Sequence, residues 1–394
     1  MTSTSIRLST LPPDEAASNR LLRALWAELR KEFGQLFWQY APRKYGSRRE
    51  VYFGYADLGL NPATIRVGIR YKTRGIITEV LFCDAFDRID LPTVRFESCV
   101  RRAETVTETR ITLSGEIIVP YDLRFQSLDN GSQFSIVNTD DATYLRLRVG
   151  AFDDIDALHE VARRSKPILD VLSAFTNLFL ACREFSDLLT SERIAMRPGP
   201  AVDLDWIDGF PVSNGMVVIP DACVSLIDEI IRDEMSAGTT RLVAACQHFH
   251  SARALEEQSH GIFAAQSEAE LALMLYASCI EVLSLTDAPP STPCATCGQP
   301  QLRISARATN VMESHHGPLV SQVFKDLYKA RSKYLHTGRL LSSRSYRGSA
   351  VPQIDSSADD GNRWPVPIAP LLNLREWTSF CIRATVRRTL TPKH

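Results

Sequence analysis

Residues 318–338 read PLVSQVFKDLYKARSKYLHTG. At about 100° per residue, Val320, Val323, Phe324 and Tyr334 fall within about 60° of Leu327, which predicts an amphipathic helix over 318–337. Gly338 suits the left-handed position that ends such a helix. Three more segments carry the same periodicity with no strand between them: 239–258 (Leu242, Cys246, Phe249), 266–287 (Leu273, Tyr276, Ile280, Leu283) and 371–390 (Leu374, Trp377, Phe380, Cys381). Four helices that each need to cover an apolar stripe pack on one another, so residues 239–394 are expected to form an all-α four-helix bundle. Two long connections, 288–317 and 341–370, interrupt it, and the Ser, Asp, Gly and Pro content of the second marks a surface loop.

Upstream the period changes. Residues 14–38 form an amphipathic helix through Leu21, Leu22, Leu25, Trp26, Leu29, Phe33 and Phe37, with Asp14 as its cap. Short runs rich in Val, Ile, Tyr and Thr follow at 51–55, 64–71, 75–83, 93–99, 108–121 and 134–149, and predict an antiparallel sheet. A long helix is expected over 153–189 with a break or kink at Pro167, then a short strand at 215–219 and a helix over 221–235 capped by Asp221. The chain is thus expected to be α+β. An N-terminal β-rich sensing or regulatory domain with flanking helices spans 1–190, a connecting segment 191–238, and the helical bundle 239–394.

Of the 394 residues 23% are charged and 44% hydrophobic, and 45 Lys+Arg against 46 Asp+Glu leave a net charge of −1. This excludes a disordered chain and a globally basic nucleic-acid coat, so any nucleic-acid surface is local. The longest apolar stretches, 171–182 and 271–285, are interrupted by Asn177 and Glu281 and fall short of the roughly 18–20 residues a membrane span needs. Residues 1–7 lack the apolar core of a secretory signal, so the chain is expected in the cytoplasm. The nine cysteines lie mostly within apolar segments, a usage that suits a reducing compartment.

Two charges stand out in the bundle. Arg331 falls at about +40° from Leu327, on the apolar stripe, where an unpaired guanidinium costs several kcal/mol. Glu281 is the only charged residue between Leu271 and Thr286 on the second helix. The two are expected to pair, either as a structural ion pair or with Glu281 orienting Arg331 toward a phosphate, since arginine's planar fork serves a carboxylate and an anion together. His336 lies in the last turn, as a cap or as a group that titrates near neutrality. On an ideal helix it is about 140° and 7.5 Å from Arg331, so the two converge only if the helix loosens or a second chain completes the site.

The segment Leu327-Tyr328-x-x-Arg331-Ser332-x-x-x-His336-x-Gly338, preceded by a helix with Ile280-Glu281-x-Leu283, resembles the HEPN superfamily, most closely its Apea-like branch, over roughly 239–390. The resemblance implies a bundle that dimerises so that two Arg-x4-His motifs face one cleft. It also implies, in many members, a metal-independent endoribonuclease of a bacterial antiviral or toxin–antitoxin system. Ser332 stands where active nucleases of the superfamily commonly carry Asn, Asp or His, and serine is usual in the Apea-like branch. On this basis Arg331, His336 and Glu281 are the expected catalytic residues, and RNA and a second copy of the chain the expected partners. The chemistry suits the residue types: a 2′-hydroxyl attacking its neighbouring phosphate needs a proton carrier near neutrality and a cation beside the developing charge. The same bundle could instead bind RNA or protein without catalysis.

Ser332 and Lys333 beside the motif, and Arg344 and Arg347 in the loop after it, are the expected RNA contacts. Arg383, Arg387 and Arg388 either extend a phosphate-binding rim or are solvated surface charge. No cofactor is required for this chemistry. Cys294-x-x-Cys297, with His315 and His316 about 20 residues on, makes a possible structural zinc site, although adjacent histidines lack the usual spacing. A free thiol pair is the alternative, as is a zinc-stabilised interaction scaffold for the whole bundle.

Overall fold

The structure, a computed structural model, describes residues 2–34, 36–41, 49–59, 65–84, 86–87, 89–119, 123–129, 133–139, 142–183, 185–186, 207, 212–213, 216–259, 266–286, 304–337 and 370–390; the side chains at several element ends, those of 333–337 among them, lie outside that description. The fold is α+β, with antiparallel sheet toward the N-terminus and helices toward the C-terminus. Two compact units form, 1–112 with 148–160 and 113–147 with 161–394.

In the first unit β1 (Thr2–Arg7), β2 (Leu36–Ala41), β3 (Glu50–Ala56), β4 (Ile65–Tyr71) and β5 (Ile77–Asp84) form an antiparallel sheet in the order β1-β5-β4-β3-β2. Helices α1 (Glu15–Phe33) and α2 (Thr93–Thr105) share its core, where Leu25, Trp26, Leu29 and Phe96 join Phe53, Ile65, Val67 and Phe82. Gly54 makes room for the Trp26 indole, which a Cβ there would strike. Asp14 caps α1 by accepting from the Ala17 N–H at 2.8 Å. The helix stops at Gly34, whose φ of 78° suits glycine, so Phe37 lies in β2 and not on the helix as expected.

A larger correction concerns residues 93–99, expected as a strand and found as the start of α2. Thr93 and Val94 favour extended backbone, but Phe96, Cys99, Val100 and Ala103 recur at helical spacing and are buried, while Val94 is exposed. Burial repeated over three turns outweighs the β-propensity of two residues.

In the second unit β6 (Thr109–Ile118), whose first residues belong to the first unit, joins a sheet ordered β11-β6-β10-β9-β8. A three-stranded sheet, β12-β13-β7, accompanies it; the remaining bounds are β7 Arg124–Phe125, β8 Leu128–Asp129, β9 Phe134–Asn138, β10 Thr143–Ala151, β11 Ala181–Cys182, β12 Val212–Ser213 and β13 Met216–Val217. The run expected as one strand over 134–149 is the antiparallel pair β9 and β10. Helix α3 (Asp154–Thr176) continues through Pro167 and ends at Asn177, which adopts a φ of 57°, well short of the expected 189. Helix α4 (Asp221–Arg232) follows Pro220 with Asp221 inside its first turn, not capping it.

The remaining helices are α5 (Ala237–Ser259), α6 (Gln266–Leu283), α7 (Ile304–Thr337) and α8 (Pro370–Leu390). α5 packs along α6, α7 against α6, and α8 against α5, α6 and α7. α7 begins earlier than the sequence suggests, as two helical stretches joined at Gly317 (φ 82°), because Pro318 withholds an N–H and its predecessor avoids helical backbone. Among the described residues no helix is long and apolar enough to cross a membrane.

The helices are also joined by buried charge. Glu256 accepts from Arg253 Nη1 at 2.7 Å, Tyr276 Oη at 2.7 Å and Arg375 Nη1 at 3.2 Å, tying α5, α6 and α8 together. Beside it Glu376 accepts from the Asn177 amide, and burial raises its pKa to about 7 despite the opposing pull of Arg375 and Arg383. A carboxyl that holds its proton better folded than unfolded makes its own contribution in full below about pH 4.5, and that contribution is lost as the pH rises through 7. Glu376→Gln is therefore expected to gain about 3 kcal/mol over the wild type at pH 8 and much less at pH 4.5, read from urea unfolding at the two pH values. Equal gains at both would contradict it.

Candidate functional site

The centre of the site is the pair that the sequence singles out. Arg331 on α7 donates through Nη1 to Glu281 Oε1 at 2.8 Å and through Nη2 to Glu281 Oε2 at 2.9 Å, a parallel fork on one carboxylate. Nη2 also reaches Ser278 Oγ at 3.1 Å, and the Tyr328 hydroxyl donates to Glu281. Tyr328 lies one turn before Arg331, so its ring sits under the guanidinium, 5.3 Å from ring centre to Cζ. Burial and the bond to Glu281 push the Tyr328 phenol up to about 12, so it stays a donor at neutral pH. The side chains of Arg331 and Glu281 are 14% and 19% exposed, so the pair lies at the edge of the core and not within it.

The face of α7 that carries this pair is turned from the one expected. Ser321 and Phe324 are buried and Tyr328 and Arg331 half-buried, while Val323 is 41% exposed and Leu319 70% exposed. Centring the stripe on Leu327 puts Val323 inside it; the true face runs through 321, 324, 328 and 331, with Arg331 at its end. Of the five guanidinium hydrogens Glu281 takes two and Ser278 one, and the buried Nε–H has no partner among the described residues.

A half-buried pair of this kind loses much of its stability when one partner is removed, because the survivor is left uncompensated. Glu281→Gln and Arg331→Met are each expected to cost about 2–3 kcal/mol, and the double variant less than their sum, as measured by a thermodynamic cycle from urea unfolding. Strict additivity would show that the contact carries no coupling.

The other expected site residues fare unevenly. Ser332 is half-buried beside Arg331. His336 and Lys333 lie on the final turns of α7, but their side chains are outside the described residues, as are Arg344, Arg347, Cys294 and Cys297. Arg383 is buried and donates to Ser379, which removes it from any surface rim; Arg387 and Arg388 are exposed. His315 and His316 stand before Gly317 and face α8. His316 Nε2 meets the Trp377 carbonyl at 3.1 Å, which requires an N–H and leaves only Nδ1 for a metal. Burial lowers both imidazoles below their ordinary value. Among the described residues no three His, Cys, Asp or Glu side chains form a metal-ligating group.

Two histidines on α5 went unremarked in the sequence. His250 places Nδ1 2.8 Å from Asp170 Oδ1 and Nε2 2.7 Å from the Leu180 carbonyl, so both nitrogens are committed to holding α5 against α3. His248 differs: it is half-buried, with no hydrogen-bond partner among the described residues, and it is coupled electrostatically to both Glu281 and Arg331. Periodicity could not find it, because it falls off the stripe of Leu242, Cys246 and Phe249, and the charges that act on it come from two other helices. No family model, curated protein or solved structure matches the chain.

Proposed function

We propose that the chain is a metal-independent endoribonuclease effector of antiviral or toxin type, cutting RNA at a site built on Arg331, Glu281 and His336 and completed by a second copy of the chain. The Arg331–Glu281 fork supports this reading most: a guanidinium aimed by a carboxylate, at the edge of the core, where a phosphate oxygen could share the Nη hydrogens that Glu281 does not take. In this reading Arg331 stabilises the charge that gathers on phosphorus, and His336 carries a proton, as acceptor or donor, at one of the reacting oxygens. Ser332, Lys333, Arg344 and Arg347 hold the strand. Leu319 and Val323, exposed on α7, offer apolar area for the second copy. Its place of action is the cytoplasm, the HEPN resemblance being its family basis.

The test is incubation of the full chain with RNA in EDTA, together with light scattering at micromolar concentration. The expected result is a dimer and products ending in a 2′,3′-cyclic phosphate and a 5′-hydroxyl. Intact RNA, or a strict monomer with and without RNA, overturns it. A second reading, a non-catalytic module that binds RNA or protein, is favoured by one feature: both Nη atoms of Arg331 are already engaged within the chain, as in a purely structural pair. A structural zinc held by Cys294, Cys297, His315 and Nδ1 of His316 is a separate proposal, tested by metal analysis of the purified protein.

A further inference from the structure

The antiparallel packing of α5 on α6 sets which residues lie level across it. Near one end the Tyr276 hydroxyl donates to Glu256, and near the other Arg241 Nη1 donates to the Leu285 carbonyl at 2.6 Å. His248 lies about midway between Arg241 and Glu256 on α5, and Glu281 about midway between Tyr276 and Leu285 on α6, so the two share one level of the packing. Arg331, clamped on Glu281, is at that level too. The imidazole is half-buried there with neither nitrogen bonded to a described residue, in contrast to His250 two positions on.

From this placement we infer that His248 belongs to the Arg331–Glu281 site and is its proton acceptor, taking the 2′-hydroxyl proton of bound RNA. The inference rests on the nuclease reading above and adds a residue that neither the motif nor its spacing contains. The step balances without a further reactant: the 2′-O–H bond breaks toward the imidazole, the 2′-O–P bond forms, and the P–O5′ bond breaks. The departing 5′-oxygen then takes a proton from water or from a second imidazole, the role this leaves to His336 in the nuclease reading.

The surroundings fit an acceptor. Burial lowers the His248 pKa below its ordinary value of 6.5, Glu281 opposes this and Arg331 adds to it, a balance that favours the neutral, proton-accepting ring. The charged groups that act on it are Glu281 from α6 and Arg331 from α7, and the Tyr328 phenol is engaged by Glu281. α8 offers its charges, Arg375 and Glu376, to the Glu256 level, and α3 offers Asp170 to His250.

The experiment compares pH–rate profiles for wild type, His248→Gln and His248→Asn with a mixed-sequence RNA in EDTA, with melting curves to show that the variants fold. The expected result is a fall of about 100-fold or more in kcat with KM little changed, and loss of the acidic limb of the profile, whose midpoint in wild type lies below 6.5. Added imidazole should restore part of the rate to His248→Ala. A variant that folds and cuts within about threefold of wild type, with the same profile, overturns the proposal while leaving the nuclease reading intact. A wild type that cuts nothing overturns both.

Discussion

Replacing His336 with alanine is expected to slow RNA cleavage by about 10²–10⁴-fold, the range that a positioned acid or base contributes. Arg331→Lys should lose nearly as much as Arg331→Ala, although it keeps the charge. Lysine cannot fork onto Glu281 Oε1 and Oε2 while presenting donors to a phosphate, so a site that needs an aimed cation fails with either substitution. If the site needed only positive charge, Arg331→Lys would keep most of the rate. Mixing Arg331→Ala with His336→Ala protein separates a composite site from a self-contained one. When each cleft draws one group from each chain, mixed dimers recover part of the activity; when each chain carries its own complete site, nothing is regained.

The largest effect on stability is expected at Glu256. Its carboxylate is 5% exposed and takes hydrogen bonds from two arginines and a tyrosine, and although burial alone would raise its pKa, Arg253 and Arg375 hold it below the ordinary value. Glu256→Ala leaves two guanidinium groups buried without their shared anion and should cost about 3–5 kcal/mol in urea unfolding. Its sign with pH is opposite to that of Glu376. A carboxylate whose folded pKa is depressed contributes stability above its unfolded value of 4.5 and loses it as the pH falls through the folded value, so the Glu256 deficit should shrink in acid. A loss below about 1 kcal/mol at pH 7 would mean that Arg253 and Arg375 find other partners.

Several of these features are legible in the chain, and the reasons others are not are physical. The helices from α5 onward announce themselves because apolar residues recur along them at helical spacing, except over 304–316, and Glu281 and Arg331 announce each other because each is a charge among apolar neighbours. α2 was obscured because Thr93 and Val94 lead it with β-branched side chains, and β1 because its polar residues, Thr2 to Ser5, pair along the edge of a sheet whose other strands come later in the chain. The joint at Gly317 is written in the Gly-Pro step, yet the helical stretch before it lacks a clear stripe, which kept residues 304–316 in the expected loop. Glu256, Arg253 and Arg375 look like surface charges when read singly; only the antiparallel packing of α5, α6 and α8 brings them onto one carboxylate. His248 belongs with them, since its neighbours come from two other helices.

The most direct test of the proposed chemistry is an RNA with a single 2′-deoxy nucleotide at the cleavage position, incubated with the full chain in EDTA. Transesterification through the 2′-oxygen predicts that cleavage at that bond stops while cleavage at neighbouring bonds continues. Unchanged cleavage at the deoxy position would contradict it, because the attacking oxygen would then have to come from water.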